Sequence, residues 1–128
     1  MADLIDEATS NEIADRFVRR VADARTVYLL RCAEGYAQSE SNHRADETGE
    51  PLAVILFFSD GAYARAVQKA CYPDYDVATL SLADFLERWL LGMEKDRVLA
   101  GVNWRADLCG PEREARELRL AIEGLLSR

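Results

Sequence analysis

One stretch limits what this chain can become. Residues 52–58, Leu-Ala-Val-Ile-Leu-Phe-Phe, form an unbroken apolar run that closes on Ser59 and Asp60. The run is far short of the roughly 20 apolar residues a helix needs to cross a bilayer. Its β-branched and aromatic content fits a strand covered on both faces. Ser59 or Asp60 can then accept a hydrogen bond from the free N–H groups of a following helix. The run reads as a central strand feeding a helix.

The flanking sequence supplies elements to cover it. Ser10 stands as the cap of a first helix, with Glu12 and Asp15 near its positive end, and residues 1–9 read as a frayed start. Ile13, Phe17 and Val21, joined by Ala14 and Val18, make one apolar stripe, and Arg16, Arg19 and Arg20 lie off it as solvated charges. Residues 26–31 read as a strand that returns through 36–40 as a hairpin. Residues 41–51 are polar and rich in turn formers, and read as a loop holding the lone histidine, His43.

After the central strand, Tyr63, Ala66, Val67 and Ala70 mark one face of a helix that Pro73 ends. Residues 76–80 form a short strand. Ser81 caps the next helix, with Asp84 three residues on, and Leu82, Phe85, Leu86, Trp89, Leu90 and Met93 give it the clearest periodicity in the chain. Residues 98–102 are a last apolar strand, ending in Asn103 and Trp104. Pro111 suits the first position of a final helix, with Glu112 and Glu114 in its first turn. From the central strand onward the order is β-α-β-α-β, which predicts parallel strands and right-handed crossovers. The expectation is one α/β domain over residues 1–128, with a mixed five-stranded sheet made of an antiparallel hairpin plus the parallel unit.

Charge and cysteine usage exclude several partners. The net charge is -7, and no basic cluster is dense enough to follow a phosphate backbone, so nucleic acid is not expected. An acidic surface ordinarily serves solubility, and it would also steer a basic protein partner into contact. Residues 1–7 lack the basic and apolar regions of a signal peptide, and no stretch is apolar enough for a membrane helix, which predicts a cytoplasmic protein that does not enter membranes. Cys32, Cys71 and Cys109 are odd in number and far apart, as expected of reduced and mostly buried thiols; no metal or other cofactor is expected.

Several stretches taken together are familiar. Residues 36–40 (Tyr-Ala-Gln-Ser-Glu), 57–64 (Phe-Phe-Ser-Asp-Gly-Ala-Tyr-Ala), 82–90 (Leu-Ala-Asp-Phe-Leu-Glu-Arg-Trp-Leu) and 101–104 (Gly-Val-Asn-Trp), with Leu108 and Gly110, resemble the bacterial domain-of-unknown-function family 2750. The resemblance runs from about Val27 to Leu126. Phe58, Leu91 and Arg105 stand where the family pattern more often has tryptophan, proline and an acidic residue. The resemblance implies a compact α/β fold and brings no activity or catalytic residues. In element order and in strand ends where Asn follows an apolar strand, the chain is also similar to the N-terminal domain of SseB-like proteins, an analogy at the level of fold.

Motifs with a defined chemistry are missing. The sequence holds no phosphate-binding glycine loop, no dinucleotide fingerprint, no paired-histidine zinc helix and no serine nucleophile elbow. A cysteine nucleophile would need His43 beside it in space, and carboxylates such as Asp74 and Asp76 read as solvated. One constellation stands out. Parallel strands would place Ser59, Asp60, Asn103 and Trp104, with Ser81, at neighbouring carboxyl ends, where open α/β sheets bind ligands. The competing reading makes Ser59, Asp60 and Ser81 ordinary caps and Trp104 a cover for the core edge. As a site, it predicts Asn103 tied to neighbouring backbone and Trp104 half-exposed beside Ser59. The sequence thus points to a non-catalytic protein-interaction module, in sharper form an immunity-type protein. The alternative is a small-molecule-binding or enzymatic domain using the same residues.

Overall fold

The computed structural model describes residues 6–127. Helix α1 is Glu7–Ala24, followed by β1 (Thr26–Cys32), β2 (Gly35–Tyr36), β3 (Gln38–Ala45) and β4 (Pro51–Phe57). Helix α2 is Gly61–Cys71, β5 is Asp76–Ser81, and α3 runs continuously over residues 82–96. Strands β6 (Leu99–Val102) and β7 (Glu112–Glu114) precede α4 (Ala115–Leu126).

The architecture is mixed α/β, and the central run is the strand β4. Its side chains alternate as a period of two demands. Ile55 and Phe57 enter a core beneath α1, α3 and α4, together with Val27, Leu29, Ala100 and Val102. Val54, Leu56 and Phe58 enter a second core with Leu30, Leu99 and Trp104 beneath α2. Helices therefore cover both faces, which explains why the run carries no polar residue.

The single five-stranded sheet is not what forms. The strands make two sheets, ordered β2-β1-β5 and β3-β4-β6-β7. Strand β5 does not join β4 and β6 as a parallel neighbour; it pairs antiparallel with β1, from Thr26 opposite Ser81 to Arg31 opposite Asp76. Among the described residues the one parallel pair is β4 with β6, Val54 opposite Leu99 through Phe57 opposite Val102. The predicted hairpin begins as expected, with Cys32 opposite Gly35. At Ala37 the returning strand changes partner. Its N–H donates to Leu30 O at 2.9 Å, and its carbonyl accepts from Leu56 N at 3.3 Å. Beyond it the strand pairs with β4 and not with β1. The sheets meet again where Tyr28 and Phe58 exchange backbone hydrogen bonds of 2.8 and 2.9 Å. The second strand of the hairpin is thus a wedge between β1 and β4, which touch directly only at one end.

Other expectations are corrected. Residues 41–45 belong to β3 and only 46–50 turn, so His43 lies on a strand. Helix α1 starts before Ser10: Asp6 caps it, its Oδ1 accepting from Thr9 N at 2.8 Å. Residues 7–9 are thus helical, while 1–5 lie outside the described residues. Pro111 does not open a helix, because residues 112–114 form β7 against β6 and α4 begins at Ala115. Ser81 does cap α3, accepting from Asp84 N at 3.1 Å.

Helix α3 contains a π-helical segment, Phe85–Leu90. A wider turn brings residues five apart onto one face, and Phe85 and Leu90 are both fully buried. The same widening leaves Trp89 half-buried instead of central. Its ring meets Tyr36 edge-on at 4.5 Å between centroids and Phe57 at 5.9 Å. In α2 the buried face is Ala64 and Val67; Tyr63 and Ala66 point outward.

Candidate functional site

The carboxyl ends of β4 and β6 lie side by side, and the residues that follow them meet there. Asn103 takes the left-handed conformation, φ 50°, which Asn tolerates better than most residues. Its backbone N–H donates to Phe57 O at 2.9 Å, turning the chain off the strand. Its side chain spans the gap: Oδ1 accepts from Ser59 N at 2.9 Å, and Nδ2 donates to Ser59 Oγ at 3.0 Å. Asn103 is therefore tied to neighbouring backbone, as its position after an apolar strand suggested.

The chain of polar contacts continues outward. Ser59, 4% exposed, donates through Oγ to Asp60 Oδ2 at 2.9 Å. Asp60 precedes α2, but its carboxylate does not cap that helix. It accepts from Arg20 of α1 instead, at 2.9 Å from Nε and 2.5 Å from Nη2. This fork holds the Asp60 carboxyl below its ordinary range; burial opposes the shift, and the Ser59 hydroxyl and the charges of Arg20 and Arg16 add to it. Four side chains from α1, β4's end and β6's end form one brace, Arg20–Asp60–Ser59–Asn103. From the sequence Arg20 reads as a solvated charge. Nothing in its own helix identifies it, because its partner lies forty residues away.

Trp104 does not have the expected exposure. It is 2% exposed, and its Nε1 donates to Pro111 O at 2.7 Å. The indole is clamped between two glycines. A Cβ on Gly101 would lie 2.7 Å from two indole atoms, and one on Gly110 would lie 2.6 Å from Cδ1. Gly101, Trp104 and Gly110 thus interlock, which gives a packing reason for that spacing. Ser81 takes no part in this group; it caps α3 on the other sheet.

Beside the brace lies a cleft of about 310 Å³ between α1 and α2. Ile13 and Arg16 form one wall, Tyr63, Ala66 and Val67 the other, and Asn103 and Trp104 contribute the floor. Tyr63 is 40% exposed. Trp104 therefore shapes the floor of a crevice and is no part of its exposed rim. Of the four predicted residues, Ser59, Asp60 and Asn103 are joined in one network, and Asn103 and Trp104 line the cleft. The rim residues Arg16 and Tyr63 were not singled out as site residues.

Cys109 is buried and Cys32 and Cys71 are half-buried, so the thiols are less enclosed than expected; all three are free. Among the described residues, no group of three His, Cys, Asp or Glu side chains is placed to hold a metal ion. No described helix is long and apolar enough to cross a membrane.

The split sheet with helices on both faces and a crevice at the parallel strand ends defines a mixed α/β protein. Residues 14–122 match the family model described as "Protein of unknown function (DUF2750)". The chain belongs to that family. Comparison with curated proteins and with solved structures finds no match.

Proposed function

We propose that this chain is a non-catalytic interaction module that receives a protein partner in the cleft between α1 and α2. The observation that carries this reading is the makeup of that cleft. Apolar walls from Ile13, Ala66 and Val67 stand over a floor of Asn103 and the clamped, almost fully buried Trp104, with Tyr63, Arg16 and Arg105 exposed around it. Tyr and Arg are over-represented among residues that dominate binding energy, and a preformed depression is where a partner's anchoring side chain is desolvated. The arginines lining the cleft, Arg16 and Arg105, suit an apolar anchor with a carboxylate beside it. The net charge of -7 acts over longer range and favours a partner that is basic elsewhere.

The brace supports the same reading. Ser59 Oγ both donates to Asp60 and accepts from Asn103, and Asp60 is held ionised by Arg20. These groups spend their hydrogen bonds on fixing the cleft floor to α1 and α2. A small-molecule site is favoured by one feature only, the cleft's volume at the low end of the ligand-pocket range.

The test uses the purified chain as bait at low and high salt, beside Tyr63→Ala and Arg16→Ala. A partner that co-purifies stoichiometrically with the wild type, and is lost by about tenfold in affinity in both variants while their melting curves stay put, supports the module. A partner retained equally by both variants rules out this cleft as the docking surface.

A further inference from the structure

A second and larger cleft lies at the opposite end of the β4–β6 pair. It arises from the way the four-stranded sheet rolls. β3 and β7 are its two edges, with β4 and β6 between them. Flat, such edges would sit about 14 Å apart, three inter-strand spacings. Here their side chains touch. Ser41 Oγ donates to the Glu112 carboxylate, Asn42 N donates to Glu112 Oε2 at 2.8 Å, and Arg44 pairs with Glu114 at 3.0 Å. The register shift in β3 between Glu40 and Ala45 supplies the bend. The rolled sheet and the facing ends of α3 and α4 enclose a cleft of about 600 Å³.

Its lining has two parts. The inside is apolar, from Leu52, Leu99, Met93, Val98 and Ala115. The mouth carries three guanidinium groups, Arg44, Arg97 and Arg116. Two of them are matched: Arg44 by Glu114, and Arg97 by Glu47 at 2.7 Å. The remaining lining carboxylate, Glu94, is taken by Arg119 of α4 at 2.8 and 3.1 Å. Arg116 alone of the three makes no ion pair with any described residue, although its charge reaches the Glu94 carboxylate. The three guanidinium groups occur in a chain whose net charge is -7. Arg97 also sits in the left-handed conformation at the end of α3, φ 58°, where glycine is the usual residue.

We propose that this cleft binds an amphipathic organic anion, its apolar body against Leu52, Leu99 and Met93 and its anionic head on Arg116 and Arg97. The volume is that of a small-molecule pocket, and an apolar interior with a few placed polar groups is the usual makeup. The three guanidinium groups at the mouth, with Arg116 free of any ion pair among the described residues, favour an anionic head group. The site is separate from the strand-end cleft, and neither reading depends on the other.

The probe is 8-anilino-1-naphthalenesulfonate, with N-phenyl-1-naphthylamine as the same body lacking the sulfonate. The folded chain is titrated with each by fluorescence, and the sulfonate is mapped by amide ¹⁵N–¹H shifts. Saturable one-to-one binding is expected, about tenfold or more tighter for the sulfonate, with shifts centred on Val98, Leu99, Ala115 and Arg116. Arg116→Glu abolishes that preference and Arg116→Gln weakens it, each with an unchanged melting curve, while Arg16→Glu leaves it intact. No saturable binding, equal affinity for the two probes, shifts centred on Ala66 and Val67, or an unaltered preference in Arg116→Glu overturns the proposal.

Discussion

Gly101→Ala tests the tryptophan clamp most directly. The added methyl would sit 2.7 Å from Cε2 and Nε1 of Trp104 and 2.8 Å from Cγ1 of Val54. Comfortable separation between such atoms is about 3.5–4.0 Å, so three contacts are each roughly 1 Å too short. The indole cannot retreat. Gly110 packs on it with no room for a Cβ, and Nε1 is bound to Pro111 O. Overpacking of this kind costs about 1–3 kcal/mol. If the indole shifts, the buried bond to Pro111 goes too, for about 1–3 kcal/mol more. Against this stands a gain of about 0.4–1 kcal/mol from a less flexible unfolded chain. The net expectation is a loss of about 2–4 kcal/mol, a large share of the roughly 5–15 kcal/mol that holds a typical domain. Urea unfolding followed by far-ultraviolet circular dichroism and by tryptophan emission measures it. Gly92→Ala and Gly124→Ala serve as controls, because both lie in helices with nothing within 4 Å of the added Cβ. Each of these is expected to gain about 0.5–1 kcal/mol. A Gly101→Ala midpoint equal to or above wild type would show that the indole has slack, and the clamp would have to be abandoned.

Further expectations concern the brace and the cores. Asn103→Asp keeps a residue suited to positive φ but removes the donor to Ser59 Oγ and places a carboxylate near Asp60; a loss of about 1–3 kcal/mol in urea unfolding is expected, and an unchanged midpoint would show that the amide is not needed. Trp104→Ala is expected to cost about 3–5 kcal/mol, whereas Trp89→Ala, half-buried against Tyr36, costs clearly less; the reverse ranking in the same assay would contradict the burial pattern. Asp60 and Glu94 are held below their ordinary carboxyl values chiefly by hydrogen bonds from Arg20 and Arg119. Their folded values lie below the unfolded ones, so the stability they add is present above the ordinary carboxylate range and fades as pH falls through the folded values. Urea midpoints are thus expected to drop below about pH 4, with a shallower acid limb in Arg20→Gln, where Asp60 no longer contributes; identical limbs would refute the coupling.

The sequence made the buried strands and the longer helices legible because burial writes a pattern. β4 has apolar residues on both faces, and α1 and α4 repeat theirs every three or four positions. It did not disclose the second half of β3: residues 38–40 read as strand, but 42–45 are all exposed, and a stretch without a covered face has no alternation to detect. β7 escaped for the same reason: Glu-Arg-Glu is short and polar, and Pro111 before it imitates a helix start. Sheet membership was illegible because it is decided at Ala37 by which strand edge is open, a tertiary fact. Ser59, Asp60 and Asn103 could be placed together from strand ends alone. The burial of Trp104 could not, because it depends on two glycines on either side of it that meet only once the chain has turned.

The path the chain takes between its sheets has a kinetic consequence. After β4 it leaves the four-stranded sheet, lays β5 beside β1, and only then returns as β6 to close the parallel pair. The β1–β2 and β3–β4 hairpins can zip locally, but β1–β5 and β4–β6 must each close a long loop before any contact repays the lost entropy. The two closures overlap along the chain between β4 and β5, so forming either one shortens the loop that the other must close. A chain cut before Asp76 would lack β5 from one sheet and β6 and β7 from the other. Refolding is therefore expected to be limited by one late event in which both sheets acquire their last strands together, and unfolding to release them together as well.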